Sequence, residues 1–236
     1  MTIYTDPRLT ALGIVHGMTS RTLGDMRTAE PVAALWNMLQ LPAERILRFK
    51  QIHSTRILSV THPSLAEQIQ SNPLQTADGW ILGAAGWGAA IITADCVPLF
   101  VWDAKAQLIG LSHCGWRGIA AQLPAQTAQA LYQAGAQGPL YAWVGPHIQS
   151  CCFEVQTDVA QQFPKATSQK KGRLWVDLNQ AIRTQLTQAG LALDHIVFSS
   201  HCTCCETDHF FSYRRDHTRQ AMLSFVYIPA SSCIRE

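Results

Sequence analysis

With 236 residues, 47% of them apolar and 14% charged, the chain has ample material for a buried core and too little charge for a disordered, solvating polymer. No linker-like stretch interrupts it, which points to one domain over residues 1–236. The formal charge is only +2 and Lys and Arg form no run, so a stripe neutralising successive phosphates of a nucleic acid is excluded.

The first ten residues, MTIYTDPRLT, lack the basic start, apolar centre and small-residue cleavage site of a secretory signal, so a cytoplasmic location is expected. Pro31 suits a first helical turn, Val32, Leu35, Trp36 and Leu39 recur at helical spacing, and Pro42 stops the segment. Strand-type runs follow at 57–60, 90–93, 99–102 and 108–112. Between the first two, Gln68 to Gln75 reads as a solvated loop closed by Asn72 and Pro73. The stretch from Trp80 to Trp102 is apolar but carries Asp95, Pro98 and glycines, and reads as two buried strands flanking a glycine-rich turn rather than a membrane span.

Residues 120–134 read as a helix that starts or kinks at Pro124 and closes at Gly135. A strand at 141–144 and a short helix at 157–163 come next. Asp177 then caps a helix on which Leu178, Ile182 and Leu186 align, with Gln180 placed for a capping box and Gly190 ending it. Strands at 196–199 and 224–228 complete the series. Strand and helix do not alternate strictly, so the pattern predicts an α+β fold with helices covering the outer faces of mixed sheets.

Eight cysteines without an export signal are expected to be thiols, and the ordinary role of a free thiol is that of a small buried apolar group. Three segments nevertheless place a soft or imidazole ligand at a strand end: QIHST with His53, TADCVPLF with Cys96, and LSHCGWRG with His113. Two imidazoles and one thiolate are the donor count of an open, catalytic zinc site. Asp95, embedded in apolar sequence, is costly there unless paired or employed, which makes it a candidate proton shuttle. Arg117 and the glycines around Trp116 lead into a helix start able to hold an anion, and a simple salt bridge is the plainer reading.

A second group comprises Cys151 and Cys152 in SCCFEV with His201, Cys202, Cys204, Cys205 and His209 in HCTCCETDHF. Only Cys202 and Cys205 have C-x2-C spacing, so buried thiols are expected and a structural metal is the alternative. In SYRRD, one of Arg214 and Arg215 is expected to pair with Asp216 and the other to be free to clamp phosphate.

VHGMTSR, KQIHST, TADGW, TADCVPLF, HCGWRG, GPHIQSCCFEV and the run from CTCC to SYRRD, in that order, resemble the YfiH-like laccase-domain family, described as purine nucleoside phosphorylases. The resemblance implies a four-layer α/β/β/α arrangement and a zinc on His53, Cys96 and His113. It also implies phosphorolysis of adenosine, inosine, guanosine and methylthioadenosine, deamination of adenosine, and for some members editing of peptidoglycan precursors. The laccase label implies copper. Cys114, His147 and Cys204 depart from the commoner family wording.

Phosphorolysis requires an anion clamp, for which Arg21, Arg117, Arg214 and Arg215 are the candidates, with Cys96 and His113 alongside Asp95 at the reacting centre. Three rivals remain at this level. A multicopper oxidase is disfavoured because the nine histidines include no H-x-H. A metal-free thiol hydrolase would use Cys96 with His113. An interaction module would hold its zinc for structure alone.

Overall fold

A computed structural model describes residues 2–72, 75–103 and 108–230. The strands are β1 (Ile3–Tyr4), β2 (Val15–Thr19), β3 (Ile46–Leu47), β4 (Ile57–Val60), β5 (Gly79–Leu82), β6 (Trp87–Thr93), β7 (Val97–Asp103), β8 (Leu108–Cys114), β9 (Leu140–Val144), β10 (Glu154–Val155), β11 (Thr167–Lys170), β12 (Arg173–Val176), β13 (Ile196–Phe198) and β14 (Met222–Ile228). The helices are α1 (Pro7–Ala11), α2 (Ala29–Met38), α3 (Pro63–Gln70), α4 (Trp116–Ala120), α5 (Leu123–Gln133), α6 (Thr157–Ala160), α7 (Leu178–Gln188) and α8 (Tyr213–Asp216).

Two large mixed sheets carry the fold, one ordered β1-β2-β14-β6-β3 and the other β13-β9-β7-β8-β5-β4, beside a small sheet β10-β12-β11. In β7 the two side-chain faces enter different cores. Leu99 and Val101 join the side chains of α5 and α7, among them Leu123, Leu131, Ile182 and Leu186. Phe100 and Trp102 join Trp80, Ile91 and Val226 between the large sheets. In β14, Leu223, Phe225 and Tyr227 pack with Val32, Leu35 and Trp36 of α2. Burial on both faces explains why these strands read as continuous apolar runs rather than as alternation. The architecture is the mixed α+β arrangement expected from the pattern.

The stretch from Trp80 to Trp102 does hold two strands around a glycine-rich turn, β5 and β6, and the start of a third, β7. The expected glutamine-rich loop needs correction: Gln68 and Gln70 belong to α3, which Pro63 starts and the His62 side chain caps at the Ser64 amide. Pro73 lies outside the described residues. Within the predicted 120–134 helix, α5 starts with Pro124 in its first turn, the first of the two readings of that proline, after Gln122 takes a left-handed conformation (φ 66°), while Ala120 ends α4. Asp177 caps α7 by accepting from the Gln180 amide, but the Gln180 side chain donates to the Lys165 carbonyl and forms no capping box.

Candidate metal centre and its cavity

Residues far apart in sequence meet where the two large sheets exchange strands. The bend Ala94–Asp95–Cys96 carries the chain from β6 to β7, with Asp95 in the left-handed region at φ 86°. β8 runs antiparallel to β7, Pro98 facing His113, so the end of β8 lies beside Cys96. His53 comes from the loop between β3 and β4, at φ 59°.

Asp78, immediately before β5, fixes that loop. Its fully buried carboxylate accepts from the Ile52, His53 and Ser54 amides, from the Ser54 hydroxyl, and from His113 Nδ1 at 2.9 Å. Burial by itself would raise its pKa; the hydrogen bonds from His113 and Ser54 and the Ile52 amide outweigh burial and hold it well below the ordinary carboxylate range. With Nδ1 engaged, His113 is left its Nε2 for the trio, the arrangement in which a carboxylate orients a metal-binding imidazole. Sequence reading passed over this role of Asp78, although TADGW contained it.

The candidate ligand atoms of His53, Cys96 and His113 all lie within 4.8 Å of one another, with Cys96 Sγ 3.8 Å from His53 Nε2. Gly115 leaves them their space: a Cβ there would stand 2.6 Å from His53 Cδ2 and 3.3 Å from Cys96 Sγ. Two imidazole nitrogens, one thiolate and a buried carboxylate behind one imidazole therefore fit a divalent cation of the zinc type. Gly115→Ala is expected to displace the His53 ring and weaken metal uptake by roughly 10–100-fold, the range for disturbed ligand orientation. Competition with a chromophoric chelator reads this; unchanged affinity would refute the cradle.

Burial raises the Cys96 thiol pKa, but the His113 charge and hydrogen bonds from both imidazoles bring it down to about 6. Burial likewise lowers His113, and the Cys96 and Asp78 partners bring it up to about 9. The pair titrates as a unit, thiolate with imidazolium at neutral pH. A cation entering the site must displace the His113 proton, so apparent affinity is expected to rise about tenfold per pH unit between about 6 and 9 and to steepen below that window, where the thiol must also ionise. Calorimetry of metal binding in buffers of different ionisation enthalpy should count one proton released near neutrality; a count of zero contradicts this.

The trio forms part of the wall of a cavity of about 520 Å³, which Phe49, Tyr213, Arg27, Lys50 and Arg219 also line. The four arginines expected to hold an anion lie elsewhere. Arg215 is bound to Asp216 and to the Thr203, Cys204 and Phe210 carbonyls, which fulfils the expected internal pairing. Arg214 donates to the Cys152 and Glu154 carbonyls, Arg21 to the Thr207 carbonyl, and exposed Arg117 lies over the Trp116 ring. Asp95 is buried, accepting from Thr203 Oγ1 and the Arg214 amide, each at 2.7 Å, and is absent from the cavity lining. Of the cations that do line it, Arg27 and Arg219 are isolated basic residues, and Lys50, although it opens KQIHST, was not read as an anion-binding residue.

Cys114 is buried in the apolar core, its thiol pushed up by that burial. His147 is buried too, which brings its pKa down to about 4, and it bonds to the Gly145 carbonyl and the Gln149 side chain. Neither lines the cavity. The cysteines at 151, 152, 202 and 205 correct the expectation of separate buried thiols: their sulfurs all lie within 4.8 Å of one another, and Cys151 and Cys205 are exposed. They sit in turns rather than on one strand, so the opposite-face rule that separated them in sequence does not apply.

A family model described as multi-copper polyphenol oxidoreductase laccase matches residues 20–229. The chain belongs to this YfiH-like family. Among its relatives, the purine nucleoside phosphorylase YlmD of Geobacillus stearothermophilus is 33% identical over 203 residues, covering 80% of this chain and 74% of that one. Adenosine deaminase RL5, from an unknown prokaryotic organism, is 30% identical over 202 residues, covering 80% and 77%. The crystal structure of Bacillus licheniformis hypothetical protein YfiH superposes with a TM-score of 0.83 at 25% identity over 92% of this chain and 93% of that one. The family is thus one of enzymes. No helix among the described residues is long and apolar enough to cross a membrane.

Proposed function

We propose that the chain is a zinc-dependent purine nucleoside phosphorylase whose centre is His53, Cys96 and His113. The observation that carries this reading is one cavity that combines a metal-type donor set with three cations, Arg27, Lys50 and Arg219. Its volume of about 520 Å³ falls within the range of small-molecule sites. When bound, zinc supplies Lewis acidity directed into the cavity.

The other work belongs to the side chains. Phe49 and Tyr213 supply aromatic lining for a purine, and the three cations attract phosphate. A phosphate oxygen bonds to the anomeric carbon while the glycosidic bond breaks, and the base leaves with the electron pair and takes up a proton. Holding phosphate against that carbon is the main task, since correct positioning removes most of the entropic barrier. Asp78 sets the His113 ring through Nδ1, and Asp95 ties the Cys96 bend to Thr203 and Arg214 as a positioning residue. No carboxylate lines the cavity among the described residues, and Asp95 is engaged by Thr203 and Arg214, so deamination, which needs a carboxylate to move protons, is the secondary activity. Adenosine, inosine, guanosine and methylthioadenosine are the proposed substrates. Zinc suits the donor set without redox chemistry, whereas a copper oxidase would need more metal sites than one trio affords.

The test is incubation of metal-loaded protein with adenosine or inosine, with and without phosphate. Free base and ribose 1-phosphate are expected only with phosphate, and Lys50→Ala combined with Arg219→Ala should raise the KM for phosphate about 10-fold or more, as expected on losing charge-assisted bonds. Failure to release base with phosphate present would sink the reading.

A further inference from the structure

The four clustered cysteines lie in two loops, one after β9 and one after β13. A parallel bridge joins His147 to Cys202, the Thr203 amide donates to the His147 carbonyl at 3.1 Å, and the Gln149 amide reaches Cys202 Sγ at 3.4 Å. Across this junction Cys151 Sγ stands 3.6 Å from Cys202 Sγ and 3.5 Å from Cys205 Sγ, while Cys152 Sγ is 3.3 Å from Cys205 Sγ and 3.8 Å from Cys151 Sγ. Sulfurs arranged tetrahedrally about zinc, each about 2.3 Å from it, are about 3.8 Å apart. A disulfide would need one pair near 2.05 Å and would leave the other two sulfurs unexplained.

Burial does not explain the gathering. Free cysteine is ordinarily buried, yet Cys151 and Cys205 are exposed, and thiols are too weak as hydrogen-bonding groups to draw four together. A backbone amide also reaches one of them: the Gln149 amide donates to Cys202 Sγ, a contact that suits a thiolate. Tetrahedral all-sulfur coordination selects zinc among the common divalent ions without redox chemistry.

We propose that Cys151, Cys152, Cys202 and Cys205 form a second, closed site for a single zinc ion, bound by four thiolates and separate from the His53, Cys96 and His113 centre. Its place suggests its use. The same loops hold Thr203, whose hydroxyl donates to Asp95, and the Cys152 carbonyl, which accepts from Arg214, so an ion there braces the wall behind Cys96. The inference stands independently of the phosphorolysis reading.

Metal content of the full chain, purified under reductant without chelator, is the first measurement. Two zinc ions per chain are expected in the wild type, and one each in Cys96→Ala and in the double variant Cys151→Ser/Cys205→Ser. Differential alkylation of the wild-type protein needs no variant to fold: Cys151 and Cys205 should resist iodoacetamide until a chelator is added. A single zinc in the wild type, two zinc ions retained by the double variant, iron in place of zinc, a disulfide within the cluster, or free labelling of Cys151 and Cys205 in the zinc-loaded protein would overturn the proposal.

Discussion

Cys96→Ala is expected to lower turnover by at least on the order of 10³-fold, as loss of several kcal/mol of metal-supplied stabilisation requires, while leaving the domain folded. Cys96 sits in the bend between two strands and is partly exposed, and His53 is exposed, so removing the sulfur opens little core. The large aromatic side chains that hold the sheets together, Trp80, Phe100 and Trp102, are elsewhere and untouched. Metal analysis, turnover and thermal unfolding of the same variant check the three parts together. A protein that unfolds on this change would support the interaction-module reading, in which the ion is structural. A wild-type enzyme that stays active after all zinc is removed would support a thiol nucleophile instead, since the thiolate and imidazolium of Cys96 and His113 are also an activated pair.

Asp78→Ala should be the most destabilising change at the site. It would leave three amides, one hydroxyl and the His113 imidazole without their acceptor in a fully buried position. Breaking a buried charged network in this way costs about 3–5 kcal/mol. Asp78→Asn keeps the shape and is expected to fold, but an amide cannot accept at both positions, so His113 loses its fixed orientation and metal affinity falls by roughly 10–100-fold. The pH dependence provides a further check. Asp78 is held below its unfolded value, so the unfolded chain binds more protons in acid and the stability contributed by Asp78 is present above about pH 4 and lost below it. Denaturant titrations of wild type and Asp78→Asn across this range should converge as the pH falls; a constant difference would contradict the role assigned to Asp78.

Helix ends were legible because capping is local: Pro31, Asp177 and Gly190 act on neighbours within a turn of themselves. Most strands of the two large sheets were legible as apolar runs, whereas β1, β2 and β3 were passed over because Val15–Thr19 mixes polar and apolar types and the other two span only two residues each. The metal trio entered through residue chemistry and the order of several motifs. The four arginines named as anion clamps lie outside the cavity lining, since an arginine looks the same in sequence whether it faces a cavity or, like Arg215, satisfies carbonyls of its own loop.

The sequence by itself determined the donor types, the local elements and the family, because side-chain chemistry and short-range periodicity are properties of residues and their near neighbours. Only the tertiary structure decided which donors meet. The pairing of β7 with β8 and of β5 with β8 sets Cys96, His113 and Asp78 side by side, and the bridge from His147 to Cys202 helps bring the two cysteine loops into contact. Such proximity is a consequence of strand register across long sequence separations, where a shift of one residue would turn His113 of β8 to the opposite face, away from Asp78 and Cys96.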